Sequence, residues 1–245
     1  MITPLQEKFY KEYCAYKGYD GSSPVIAGID KELSIRYPVL VKKGCGHLII
    51  TVVRELTMAV DELCAMSVDT DLDSIMSFLF DEGISYEKDI SYIGALDKES
   101  FAASKIPENI EVRLLSGFGD RRALSKLQKT LTMTERMLAQ VSMKDEMIAG
   151  VFVSGELVCA ASTIKQGNIH DIGVMTAPSY RKMGYARHAI TFLMQKLFEK
   201  DENAIAQYRC DKSNEGSVSL MNSLGFEPML ELFGAIMDFS GDNDA

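Results

Sequence analysis

Between positions 181 and 186 the chain reads Arg-Lys-Met-Gly-Tyr-Ala, residue types and a spacing that can seat an anion. An apolar run, Ile172 to Met175, ends in Ala177-Pro178, and a helix-compatible pattern begins a few residues later. The segment therefore predicts a turn that opens into a helix. The first N–H groups of a helix lack internal acceptors, and the helix dipole favours negative charge there. Gly184 offers no Cβ to block a phosphate, while Arg181 and Lys182 add positive charge. The chemistry expected of Val174 to Ala186 is the holding of a pyrophosphate.

Other residues with chemical potential carry less. Gly44-Cys45-Gly46 could suggest a phosphate loop, but it lies between two apolar runs, Val39–Val41 and Leu48–Val53, and reads as a hairpin turn. His47 flanks a strand and reads as packing. The five cysteines, at 14, 45, 64, 159 and 210, are scattered and form no C-x-x-C, so neither a disulfide framework nor a zinc site is expected.

The elements that must position the anion seat follow from periodicity. Glu111–Leu115 reads as a strand, and Arg122–Leu131 as a helix with Leu124, Leu127 and Leu131 on one side. Thr132-Met133-Thr134-Glu135 matches a capping box, opening a helix whose apolar face would be Met137, Leu138 and Val141. Ile148–Val153 and Leu157–Ile164 form a hairpin across Ser154-Gly155-Glu156, and Ile169–Thr176 is a third strand. Met183, Ala186, Ile190, Leu193 and Leu197 mark a helix laid on a sheet. A strand at Ala204–Cys210, a helix at Asn214–Leu224 stopped by Gly225, and closing strands at Phe226–Met229 and Phe233–Phe239 complete the order. The fold class is α/β, a mixed sheet sandwiched by helices.

The first half predicts a helix from Pro4 to Tyr16, the two strands of the hairpin, and a helix near Leu56–Leu63. Another helix over Leu72–Phe80 and a strand at Ile90–Leu96 follow. The polar stretch Asp97–Asn109 reads as a linker, giving a smaller N-terminal α/β domain at 1–108 and a second domain at 109–245. Net charge is −9, but 15 of the 26 basic and 17 of the 35 acidic residues lie from Glu111 onward, so the half with the anion seat is nearly neutral. The acidity argues against nucleic acid as a partner, and no apolar run approaches the roughly 20 residues of a membrane span. A soluble, cytoplasmic protein is the expectation.

Two motifs in this order resemble the GNAT superfamily of acetyl-CoA-dependent N-acetyltransferases. One is Arg-x-x-Gly-x-Ala, met by Arg181, Gly184 and Ala186; the other is Asn214-x-x-Ser217 followed by Leu224-Gly225-Phe226. His170 to Val174 (HDIGV) and Gln207 to Asp211 (QYRCD) are similar to a two-domain bacterial group of such proteins. The resemblance covers Glu111 to the end, and a degenerate copy of the same fold is one reading of the first half. It implies acetyl-CoA as co-substrate and no metal. Val174, Met175 and Thr176 would pair with the pantetheine arm, and Arg181, Lys182, Met183, Gly184, Tyr185 and Ala186 would hold the pyrophosphate. Asn214 and Ser217 would contact the pantetheine or support the strand beside it. The sheet would splay between Ile172–Thr176 and Ile205–Cys210, with the thioester in the gap.

The implied reaction transfers acetyl to an amine of a small molecule or peptide by direct attack. An alkyl amine with a pKa near ~10.4 must first lose a proton. Asp171 and His170 are the base candidates, on opposite faces of one strand. The tyrosine that serves many family members as acid, seven residues after the Asn, is here Met221, which has no proton to give. Tyr208 and Tyr185 are the substitutes, and Cys210 reads as a structural thiol. The alternative is an acyl-CoA-binding sensor or interaction module without turnover. A homodimer is left open.

Overall fold

The computed structural model describes residues 2–80 and 83–238. The chain falls into two compact units. Of the described residues, one comprises those up to Ile93, Cys210–Glu215 and Pro228–Asp238; the other comprises Gly94–Arg209 and Gly216–Glu227. The polar stretch after Asp97 thus goes with the second unit, not with a segment ending at 108. A physical reason lies at Gly94, where a Cβ would stand 3.0 Å from Met221 Sδ and 3.0 Å from Phe226 Cβ, in a well-filled interior of the second unit.

In the first unit, α1 (Pro4–Lys17) is opened by Thr3, whose hydroxyl accepts from Gln6 N–H while Gln6 reaches back, and it ends at a left-handed Gly18. Then come β1 (Val25–Ile29), β2 (Val39–Gly44) and β3 (His47–Val52). β2 and β3 form the expected hairpin across Cys45-Gly46. The strand β1, parallel to β3, is hidden in sequence among glycines and serines that read as breakers. A 3-10 turn (Arg54–Ala59) leads into α2 (Val60–Leu63), followed by α3 (Leu72–Leu79), capped by Asp71, and β4 (Ser85–Leu96). Val39, Val41, Leu48, Ile50 and Val52 meet Leu63, Leu72, Ile75 and Met76 in this unit's core.

The second unit follows the predicted order: β5 (Glu111–Leu114), α4 (Gly117–Lys129), α5 (Met133–Ala139), β6 (Met147–Val153), β7 (Glu156–Gln166), β8 (Ile169–Thr176), α6 (Tyr185–Lys200), β9 (Ile205–Asp211) and α7 (Glu215–Ser223). Where two closing strands are expected, one long β10 (Glu227–Asp238) runs back along β2; Phe239 lies outside the described residues. β5 to β8 are antiparallel neighbours, and β9 runs parallel to β8. α4 lays Leu124 and Leu127, each 2% exposed, against Ile148, Phe152, Ala160 and Met175, and each such leucine contributes about 1.5–3 kcal/mol. α6 packs on β5 to β8 through Ala189, Ile190, Leu193 and Leu197.

α5 departs from its predicted face. None of its residues is fully buried: Met137 and Leu138 are 65% and 66% exposed, Ala139 packs half-buried against the core, and Val141, beyond its end, enters it. The helix is held at its ends instead. Thr132 and Glu135 form the expected capping box, and Gln140 closes it in the left-handed conformation at φ 52°.

Candidate active site

β8 leaves the sheet at Ala177, whose N–H still bonds Val158 O at 2.9 Å. Pro178–Tyr180 make one 3-10 turn, and the chain then passes through Lys182 at φ 62° and Gly184 at φ 82° before α6 begins. Left-handed backbone at Gly184 costs a glycine nothing and would strain any other side chain. The first α6 N–H to find a backbone acceptor is that of His188, 3.2 Å from Gly184 O. Among the described residues, the N–H groups from Lys182 through Arg187 have no backbone or side-chain acceptor. Residues 181–184 are exposed, and a Cβ on Gly184 would meet nothing nearer than His188 Nε2 at 3.8 Å. This is an open cradle of N–H donors at the positive end of a 16-residue helix.

Arg181 does something the sequence did not disclose. Its Nη2 lies 2.8 Å from Glu135 Oε1, and its Nε donates to Thr176 O at 3.3 Å. Thr132 N–H on the same carboxylate, followed by Arg181, pushes the Glu135 pKa down to about 2. The residue read as a counter-charge for an anion is therefore also a tether, joining the end of β8 to the cap of α5.

β8 and β9 pair only at Ile169–Ile205, His170–Ala206 and Asp171–Gln207. Beyond that rung they part, and the gap opens along Ile172–Thr176 as expected. Because the Ala177 N–H points to β7, the alternation along a strand turns the backbone groups of Val174 and Thr176 away from β7, into the gap. Asp171 sits on the last rung, where Gln207 Nε2 donates to its Oδ1 at 2.9 Å. Burial pushes the Asp171 pKa up, opposed by the Gln207 bond and by Arg209. His170 takes the other face. It is 1% exposed, with Nδ1 3.3 Å from Glu146 Oε2, out of hydrogen-bond alignment. Burial pushes its pKa down, so its ring is neutral at neutral pH, and Glu146 is itself engaged by Lys200 at 2.8 Å.

Residues 121–226 match the profile of the acetyltransferase (GNAT) family. This segment is a GNAT-family acetyltransferase domain. In fold, the chain is similar to a GCN5-related N-acetyltransferase from Sphaerobacter thermophilus, with 19% identity and a TM-score of 0.52 over 66% of this chain and 55% of that one. It is also similar to a GNAT-family acetyltransferase from Colwellia psychrerythraea, with 15% identity and a TM-score of 0.51 over 77% and 76%. No curated protein matches the sequence.

The remaining predicted residues take varied places around the GNAT domain. Tyr208 is 3% exposed, its ring 5.8 Å from that of Phe226. Tyr185 opens α6 with its ring 6.2 Å from Tyr180, and Met183 is 58% exposed rather than part of the helix face. Asn214 is exposed just before α7, Ser217 is half-buried within it, and Met221 is buried. Cys210 is buried with its pKa pushed up by desolvation, as a structural thiol would be. In the first unit, His47 stacks on Tyr10 at 3.4 Å, in keeping with packing. Among the described residues no three His, Cys, Asp or Glu side chains are grouped as metal ligands, and no helix is long and apolar enough to cross a membrane.

Proposed function

We propose that the GNAT domain transfers an acetyl group from acetyl-CoA to an amine of a small molecule or peptide by direct attack. The observation that carries this reading is the run of acceptor-free N–H groups from Lys182 to Arg187, next to the β8–β9 gap. The pyrophosphate sits on those N–H groups, with the exposed Lys182 adding charge. The pantetheine arm lies along Val174, Met175 and Thr176 like an added strand, which brings the thioester toward the Asp171–Gln207 rung. Asp171 serves as base: burial raises its proton affinity toward that needed to take a proton from an ammonium, and it is close to the point where the strands part. His170, buried against Glu146 on the other face, is a structural residue in this reading. No covalent intermediate is needed, since alignment of two bound substrates supplies much of the rate.

CoA-thiol release measured over a panel of amines tests the proposal; release with at least one acceptor, lost in Asp171→Asn, is expected. A second reading, an acyl-CoA-binding sensor, is favoured by one observation: buried Met221 stands where a proton-donating tyrosine would serve the leaving thiolate. Tight acetyl-CoA binding without turnover on any amine would select it.

A further inference from the structure

The helical pair α4–α5 departs in charge from the rest of the chain. Over Gly117–Ala139 the basic residues are Arg121, Arg122, Lys126, Lys129 and Arg136, and the acidic ones are Asp120 and Glu135, in a chain of net charge −9. Both carboxylates are already engaged: Asp120 is 8% exposed and 2.8 Å from Arg113 Nη2, and Glu135 holds Arg181. Among the described residues Lys126 is the one basic side chain of the pair that meets a carboxylate, that of Glu156. The other four are exposed.

Helical periodicity places these charges. α4 turns Asp120, Leu124 and Leu127 to the sheet, so at about 100° per residue Phe118, Arg122 and Lys129 lie on its opposite side. α5 sets Ala139 against the same core and turns Met133 and Met137 away from it, with Arg136 and Leu138 on the flanks. Phe118 and Met133 are 67% and 69% exposed, and the Arg122 guanidinium stands 4.3 Å from the centre of the Phe118 ring. Because both helices pack on one core, their outer sides make one surface of cations with large apolar side chains between them.

We infer that the outer side of α4 and α5 docks on an anionic lipid surface. The charge of the pair is complementary to such a surface, and its spacing favours lipid over an acidic protein. The apolar side chains stand out singly between cations, where a protein partner would need a matching pocket for each. The boundary between headgroups and acyl chains instead deforms around each one. Arg122 over Phe118 joins a charge to an apolar ring, the pairing that this boundary takes up together. The net charge of −9 opposes the approach only weakly, because charges farther than about 8 Å are screened at physiological ionic strength. This is contact along a surface, which needs no spanning helix, and it stands independently of the acetyltransferase reading.

The test is co-sedimentation of the full chain with vesicles of phosphatidylcholine alone and with about a third phosphatidylserine. Wild type is expected to bind the second and not the first, and less as salt is added. Arg122→Gln, Lys129→Gln and Arg136→Gln should each weaken binding about fivefold. Met137→Ser should weaken it about as much while keeping the salt dependence. Lys31→Gln, an exposed charge of the first unit, should leave binding unchanged. No binding to either vesicle, equal binding to both, or unchanged binding in the charge and methionine variants overturns the inference. An equal loss in Lys31→Gln also overturns it, since net charge would then be the cause. Tighter capture by polyglutamate than by the vesicles would assign the surface to an acidic protein instead. The substituted side chains are exposed, so circular dichroism should show the same fold in every variant.

Discussion

Gly173 on β8 lies directly beneath Ala139 at the end of α5: a Cβ at position 173 would stand 2.2 Å from the Ala139 carbonyl oxygen. Backbone thus meets backbone, with no flexible side chain to give way. No side chain of α5 is fully buried, so this contact and its capped first turn do much to fix its place.

Gly173→Ala should therefore displace α5 rather than be absorbed. Overpacking of this kind costs about 1–3 kcal/mol. Urea denaturation should read a loss in that range, and acetyl transfer should fall further than stability alone accounts for.

Gly184→Glu should abolish acetyl-CoA binding, read by calorimetry. It places a side chain and a negative charge in the N–H cradle, where nothing now stands within 3.8 Å. The left-handed φ of 82° adds about 1–2 kcal/mol of strain, so a modest fall in Tm is also expected. Gly184→Asn, which tolerates that conformation better, should lose less stability. Unchanged affinity in a folded Gly184→Glu protein would remove the cradle from the donor site.

Thr132→Ala removes the α5 cap and should cost about 1 kcal/mol. Glu135→Gln also releases Arg181, and should raise KM for acetyl-CoA as the loop loses its tether. The carboxylate is depressed from 4.5 to about 2, so its contribution is fully present above 4.5 and is lost as pH falls toward 2. Acid titration of stability should flatten across that window in Glu135→Gln.

Asp171 has the opposite sign. Its folded pKa lies above the unfolded 3.8, so its contribution to stability is present below 3.8 and lost as pH rises through the folded value. At pH 7 the buried charge is a cost. Asp171→Asn should raise Tm at neutral pH while abolishing turnover, and wild-type kcat/KM should rise with pH through an apparent pKa above 3.8. A lower Tm at pH 7 in the variant would contradict the buried charge.

The three histidines act together on folding. Burial pushes His47, His170 and His188 below 6.5, so the unfolded chain binds more protons as pH falls through that value. Stability should fall as pH drops below about 6.5, and His170→Phe should reduce the slope.

Much of the second unit was legible because its signals are local. The Thr132–Glu135 cap, the Ser154-Gly155 hairpin and the glycine at 184 are each set by a few adjacent residues. What sequence could not disclose depends on register between distant segments. Gln207 meets Asp171 only because β8 and β9 run parallel in one alignment, and Arg181 meets Glu135 across 46 positions. α5 misled for a related reason, since apolar helical spacing does not say whether a partner surface exists to bury it. The unit boundaries escaped because residues 210–215 and 228–238 belong with the first unit, which no composition shift announces.

The bond between Arg181 and Glu135 has a consequence for how a bound donor would respond to its surroundings. A phosphate gripped by mobile cations loses affinity as salt is added, since exposed charges are screened within about 8 Å at physiological ionic strength. In the proposed site the Arg181 guanidinium is already neutralised by Glu135, which would leave the grip to exposed Lys182 and to peptide dipoles fixed by the backbone. Such a grip is set by shape more than by net charge. An acidic protein built this way would hold a polyanion with a shallower dependence on salt than one relying on several exposed cations.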